Sequence, residues 1–343
     1  STDNGASFLP VGTGIPATEA IVSFAAARAA TQLRLVCVTA SSSLIWGGME
    51  IENIYYDQSY RGIYTMEWGS ATWVKRVSGI TAGHQLALVA MARNSVSVMY
   101  VGGQDANEYP VLYKTVNGGQ SWVSAITPYI NGNILTGWAG QGGDRGWTYG
   151  GGPVGLAVAP LDSSIAAFTD YGFMHLTRDS GATWRQGYVN PGDQNPAGAN
   201  TPQKKSYHGI GLEPSTCWWI TWSDSNNLFA SFGDIKGIRS TDGGATWSFN
   251  YSGHNYNSMY ESVKHPNGTL YAAVGSAHDL YQSTYLTDSR IDSANGEVLY
   301  STDKGATWQT LHNFNREVFA VALDPARPNR IYAGVVHSTY GDF

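Results

Sequence analysis

Apolar and β-branched residues gather in runs of six or seven along this chain, each bounded by glycine-rich or polar turns. They are Ser97–Gly102 (SVMYVG), Ser164–Thr169 (SIAAFT), Asn227–Phe232 (NLFASF), Thr269–Gly275 (TLYAAVG) and Arg330–Val335 (RIYAGV). Length, β-former content and flanking turns predict strands. A further run precedes most of them, as at Gly155–Ala159 and Val318–Leu323. One stretch reads differently: Thr18–Ala30, with its alanine run AAARAA, predicts a short helix, although the run also suits the edge of a sheet.

After the strand runs comes a turn of nearly fixed form. It reads STDGGATW at Ser240–Trp247, TRDSGATW at Thr177–Trp184, STDKGATW at Ser301–Trp308 and TVNGGQSW at Thr115–Trp122. Ser1–Phe8 (STDNGASF) is a fifth copy and Thr65–Trp73 (TMEWGSATW) a degenerate sixth. The copies begin at residues 1, 65, 115, 177, 240 and 301, steps of 50 to 64 residues. An Asp or Asn oxygen bonds backbone N–H groups just ahead of it, and Gly permits the positive φ of a reversal. The Trp then opens the next strand with a large apolar surface. One supersecondary unit is being repeated. The expected fold is all-β, a propeller of six or seven four-stranded blades forming one domain over residues 1–343.

These turns resemble Asp boxes, also called BNR repeats, and the chain resembles the Asp-box β-propellers. The phrase Phe319–Gly334 (FAVALDPARPNRIYAG) is most similar to the opening of a blade in glycoside hydrolase family 74; sialidases and sortilin-like receptors are more distant. The resemblance implies that the boxes lie on the outer rim, so Asp3, Asp179, Asp242 and Asp303 are structural. It also implies a polysaccharide ligand and, for an enzyme, a pair of carboxylates serving as acid and base. Family 74 enzymes draw one carboxylate from each of two propellers, and one propeller's worth of sequence is present here. The chain opens inside one box and stops about a strand or two into the next repeat, which suggests a longer natural polypeptide, with a second domain or neighbouring subunits as partners.

Composition narrows the partners. Charged residues make up 13% and the net charge is −6, which argues against a nucleic-acid partner. Twelve Trp and 21 Tyr suit stacking on sugars as well as packing between blades. No run is long and apolar enough to span a membrane, and no metal spacing or phosphate loop occurs, so no cofactor is expected. His278-Asp279 and His337 make no metal pattern. Cys37 and Cys217 stand in separate repeats, with nothing in their spacing to require a bridge. The expected location is extracellular or the cell surface.

Candidate chemistry lies outside the boxes. A second acidic position recurs at strand ends, at Asp105, Asp170 and Asp234. By the family resemblance Asp170, in Thr169-Asp170-Tyr171-Gly172, is the first catalytic candidate and Asp234 the second; a turn cap repeated in each blade explains the same pattern. Substrate-binding candidates are Trp138, Asp144, Arg145 and Trp147 in the glycine-rich stretch Gly137–Gly152, together with Tyr149, then Tyr171, and then His208, His254 and Tyr256, which open new repeats. A sialidase needs a Tyr–Glu couple; Tyr260 and Glu261 are neighbours but adjacent strand residues face opposite ways, and the Phe/Tyr-Arg-Ile-Pro opening is missing. Two readings follow: a glycan-directed hydrolase, or a non-catalytic binding or structural module.

Overall fold

The computed structural model describes residues 3–8, 12–147, 150–211, 215–277 and 287–338. Tyr149, His278 and Asp279 lie outside them. The described residues form six sheets and little helix. The first sheet holds β1 (Glu19–Ala29), β2 (Gln32–Ser41), β3 (Tyr60–Glu67) and β4 (Val74–Lys75), and the second β5 (Gln85–Ala90), β6 (Met99–Gln104), β7 (Pro110–Thr115) and β8 (Val123–Ser124). The third contains β9 (Ile134–Leu135), β10 (Gly155–Ala159), β11 (Asp162–Thr169), β12 (Met174–Thr177) and β13 (Trp184–Gln186). The fourth holds β14 (Cys217–Trp222), β15 (Leu228–Phe232) and β16 (Gly237–Ser240). In the fifth are β17 (Ser258–Lys264), β18 (Leu270–Gly275), β19 (Gly296–Ser301) and β20 (Gln309–Asn313); the sixth has β21 (Val318–Leu323) and β22 (Ile331–Val335).

All pairs are antiparallel meander neighbours except β9, which runs parallel to β13. Each strand run predicted from sequence is a strand. Thr18–Ala30 is not a helix: Glu19–Ala29 is β1, in register with β2 from Glu19 opposite Ser41 to Ala29 opposite Gln32. Alanine's helix propensity is overridden because the strand's small side chains pack on a neighbouring sheet, with Ala25, Ala27 and Ala29 against the cluster that includes Val36, Leu86 and Val101.

By its internal contacts the chain divides into two compact units. The first comprises residues 1–141, 146–188 and 194–201; the second comprises 142–145, 189–193 and 202–343. Within the first, sheets one and two share a core of Val36, Val38, Ile63, Leu86, Met99, Val101 and Trp122. Tyr100, Leu112, Ile134, Phe168 and Trp184 fill the space between sheets two and three. Within the second, Phe229, Met259, Leu270, Val274, Leu299 and Trp308 do the same for sheets four and five. The turn tryptophans at 122, 184 and 308 therefore sit between their own sheet and the one before it.

The turns close on themselves. In the third sheet Asp179 Oδ1 accepts Thr183 N–H at 2.9 Å and the Thr177 hydroxyl at 2.8 Å, while Oδ2 accepts the Thr183 hydroxyl at 2.6 Å. Asp242 with Thr246 and Ser240, and Asp303 with Thr307 and Ser301, repeat this pattern. Asn117 keeps it with an amide, its Nδ2 donating to Ser121 Oγ at 2.8 Å. Two left-handed residues in a row make each reversal, for example Ser180 (φ 66°) and Gly181 (φ 83°).

A second repeated bond was not visible in the sequence. Each turn Trp donates its backbone N–H to the segment that enters the same repeat: Trp73 to Thr13 O, Trp122 to Ser78 O, Trp184 to Asn133 O, Trp247 to Tyr207 O and Trp308 to Ser252 O, at 2.8–3.0 Å. At three of these stitches the next residue is Gly14, Gly79 or Gly253, with φ of 85–103°. A Cβ at Gly253 would lie 1.9 Å from Trp308 O, so only glycine allows the approach.

Candidate functional site

The first unit carries a groove of about 660 Å³, lined by His84, Asp105, Asn107, Tyr109, Ser124, Thr127, Pro128 and Tyr129 among others. A smaller recess of about 110 Å³ shares Tyr109, Pro128 and Tyr129 and runs on to Ile130, Asn131, Gln141 and Trp147. The two form one surface with three aromatic rings along it. Tyr109 and Tyr129 meet edge to face at 6.2 Å; Tyr129 is 65% exposed and Trp147 39% exposed.

Tyr129 is held outward by strained backbone. Ile130 has φ 53° and ψ 33°, and Asn131 has φ 57°. A β-branched residue in the left-handed region is unfavourable and needs outside restraint. Asn131 supplies it. Fully buried, it accepts Gln141 N–H on Oδ1 at 2.8 Å and donates from Nδ2 to Ala199 O at 2.7 Å. The groove wall is thus pinned by residues 10 and 68 positions away in the chain.

Trp147 rests on a second support. Its ring lies 5.1 Å from Phe173 and 5.7 Å from Trp138, and Phe173 stacks on Tyr188 at 5.0 Å. Trp138 and Tyr188 are buried, so they form the base and Trp147 the presented face. Tyr188 is anchored by its hydroxyl, which donates to Gln186 Oε1 at 2.8 Å and accepts Ala139 N–H at 3.0 Å.

Asp170 belongs to this support. Its Oδ1 accepts the N–H groups of Gly172 and Phe173, and Oδ2 accepts Gly150 N–H at 2.9 Å with His175 Nε2 3.4 Å away. It is buried, with three backbone donors on its two oxygens. Asp105 caps its own turn in the same way, through the N–H groups of Asn107 and Tyr109, and the effect at Asp170 is to seat Phe173 beneath Trp147. Tyr171, at the tip of the turn, is 53% exposed, and burial, together with a hydrogen bond to Glu52, raises its pKa.

The remaining sequence candidates lie in the second unit. Asp234 sits in a left-handed turn (φ 62°) and accepts Asn257 Nδ2 at 2.9 Å. Asp144 accepts Lys204 N–H at 2.7 Å, and burial pushes its pKa up against that bond. Arg145 donates to Ile235 O at 2.6 Å and lies 4.4 Å from the centre of the Phe249 ring, so its guanidinium is committed to packing. His254 is buried at 6.4 Å from Tyr251, with burial and then Lys236 pushing its pKa down to about 3, and it stays neutral. His208 is exposed and paired with Asp193 at 2.8 Å. Tyr256 packs on the Phe229–Trp308 core and accepts Asn295 Nδ2 at 3.1 Å.

The Tyr–Glu couple exists with a different partner. Tyr260 donates to Glu317 Oε1 at 2.7 Å, and Glu261 instead accepts Val321 N–H at 3.0 Å. Glu317 is fully buried and also takes Ser276 and Ala277 N–H, so the pair is closed to a substrate. Cys37 is buried, its thiol pushed up to about 12 by burial, and Cys217 is exposed; both are free. Among the described residues no helix is long and apolar enough to cross a membrane.

Sequence reasoning missed His84, Tyr109 and Tyr129. A faint signal was present in Tyr109-Pro110 and Pro128-Tyr129, where a proline stiffens the backbone beside an exposed ring.

Such sheets, joined as repeated antiparallel meanders, define an all-β protein of the β-propeller class. The crystal structure of an ancestral glycoside hydrolase family 74 (GH74) enzyme superposes with a TM-score of 0.52 at 16% identity, covering 88% of this chain and 39% of that one. The chain thus spans about two fifths of that enzyme's length. Two looser likenesses are the GH74 xyloglucanase of Xanthomonas campestris (TM-score 0.32, 14% identity, 97% of this chain and 43% of that) and YCF48 bound to D1 peptide (0.31, 16%, 94% and 77%). No known family's sequence profile matches the chain, and no curated protein is similar to it in sequence.

Proposed function

We propose that this chain is an Asp-box propeller that binds a neutral polysaccharide, outside the cell or at its surface, in the groove of its first unit. The observation that carries the reading is the row Tyr109, Tyr129 and Trp147, presented along an open groove by strained backbone and a buried aromatic base. Rings of this kind stack on the C–H faces of sugars, while the polar rim of Asn107, Ser124, Thr127 and Gln141 suits hydroxyl groups. Binding fits better than hydrolysis. Cleavage of a glycosidic bond needs two carboxyl groups facing each other across it. Among the described residues lining the groove, Asp105 is the one carboxylate, and Asp170 is occupied by its own turn.

Affinity electrophoresis through gels containing xyloglucan, mixed-linkage β-glucan or galactomannan tests this. Retardation is expected on at least one gel, reduced at least tenfold in apparent affinity by Tyr129→Ala or Trp147→Ala and unchanged by Trp222→Ala, an exposed ring of the second unit. Asp170→Asn should leave the substrate uncleaved as in the wild type. Free migration on every gel would refute binding, and release of reducing ends abolished by Asp170→Asn would restore the hydrolase reading.

A further inference from the structure

The polar end of the groove carries more information than its rings. His84 Nδ1 lies 2.8 Å from the Tyr113 hydroxyl, and that hydroxyl accepts Thr81 N–H at 3.2 Å. Tyr113 is buried in the core between sheets one and two, where its O–H needs an acceptor. Thr81 N–H occupies one lone pair, and among the described residues His84 Nδ1 is the one acceptor within hydrogen-bond distance of the phenol, so the phenol's proton goes to it. A neutral imidazole whose Nδ1 accepts must carry its hydrogen on Nε2. The relay Thr81–Tyr113–His84 therefore leaves one N–H donor on the ring atom that faces away from Tyr113. Burial holds the His84 pKa below its ordinary value, opposed in part by Asp105, so the ring is uncharged near neutrality.

Asp105 supplies the complementary group. Its Oδ1 is used by the N–H groups of Asn107 and Tyr109, at 2.8 and 2.9 Å. These bonds shape the turn that carries Tyr109 and leave Oδ2 as an acceptor in the same groove. Donor and acceptor thus line one concavity beside an aromatic platform.

We infer that His84 and Asp105 read a pair of free neighbouring hydroxyls on a neutral sugar, His84 Nε2–H donating to one and Asp105 Oδ2 accepting from the other. This rests on the glycan reading of the groove and adds its specificity. A hydroxyl both accepts and donates, so a diol satisfies both groups at once. An O-methylated sugar cannot donate to Asp105, and a carboxylated sugar meets a like charge, with no Lys or Arg among the described residues lining the groove to offset it. Tyr113 acts as a positioning residue, through His84.

The test uses the full chain and the same three polysaccharides, each in native, O-methylated and carboxymethylated form. Retention on a native gel is expected to fall at least tenfold on its methylated and carboxymethylated counterparts. His84→Ala and Asp105→Asn should each weaken native binding about five- to tenfold, the scale of one lost hydrogen bond. Tyr113→Phe, which keeps the ring and the core, should weaken it less, and imidazole ¹⁵N shifts should change from Nε2–H alone to a mixture of tautomers. Thermal melts confirm that each variant is folded. Equal retention of the methylated polymers, full affinity in both His84→Ala and Asp105→Asn, or an Nδ1–H tautomer in the wild type would each overturn the inference while the glycan reading stands. Failure of the wild type to bind any native polymer would overturn both.

Discussion

The repeated turn at Ser240–Trp247 and the groove wall at Tyr129–Gln141 are both tight reversals through left-handed residues, yet they are stabilised in opposite ways. In the repeated turn, Asp242 finds its side-chain partners, Ser240 and Thr246, within four residues, and glycine carries the positive φ without strain. In the groove wall, Ile130 carries it at a cost, and the restraint comes from Asn131 reaching Ala199 across the chain. Local closure makes an element that can be repeated unchanged. Long-range closure makes one that occurs once and holds a side chain where it would not rest by itself. The first kind builds the scaffold; the second is where a ligand surface is found.

That contrast can be broken most strongly at Trp184, which ends the repeated turn of the third sheet and bonds Asn133 in the groove wall. Trp184 is fully buried and donates from Nε1 to Ala125 O at 2.7 Å, so Trp184→Ala should cost about 3–5 kcal/mol, read from urea unfolding. Asn131→Ala comes next. It leaves Gln141 N–H and Ala199 O without their partner, and should cost about 2–3 kcal/mol while releasing Tyr129 and weakening polysaccharide retention. In the repeated turn, Asp242→Ala should cost about 1–2 kcal/mol and Asp242→Asn less than about 1, because Asn117 already performs the same role in the second sheet. If Asp242→Asn proves as damaging as Asp242→Ala, charge rather than geometry holds these turns.

Ile130→Gly sharpens the comparison from the other side. Removing the side chain relieves backbone strain of about 1 kcal/mol, offset by glycine's added freedom in the unfolded chain. Stability should barely move, whereas retention on the polysaccharide gel should fall because Tyr129 is no longer fixed. The smallest effect is that of acid. Burial raises the pKa values of Asp179, Asp242 and Asp303, but bonds from Thr183, Thr246, Thr307 and the backbone outweigh it and leave each below the ordinary value. The unfolded chain therefore takes up protons at a higher pH than the folded one. The stabilisation is complete above the ordinary carboxylate range and is lost as pH falls through and below it. These carboxylates are exposed, so the melting temperature should decline gently there, and less in the triple variant D179N/D242N/D303N.

Much of the scaffold was legible because its information is local. Eight residues state a turn, and strand runs such as Thr269–Gly275 carry their own periodicity, so β18 fell where expected. The alanine run of β1 misled, since a neighbouring sheet rather than propensity decides its conformation. The groove was harder to read. Trp138 and Trp147 were singled out and do meet, but the chain that joins them divides, with Asp144 and Arg145 grouped in the other unit. His84, Tyr109 and Tyr129 come from three separate loops, and nothing in any one loop announces the other two. Asp170 drew notice as a carboxylate at a strand end; only the backbone around it shows that its oxygens are taken.

The stitch between each turn tryptophan and the strand-entry segment redraws where one module stops and the next begins. Counting from turn to turn would cut the chain at the wrong place, parting Trp184 from Asn133 or Trp308 from Ser252. A graftable piece instead starts at the stitch residue and ends just past its tryptophan, as in residues 133–186 or 252–313. Anyone shuffling, permuting or transplanting these repeats should place the junctions there.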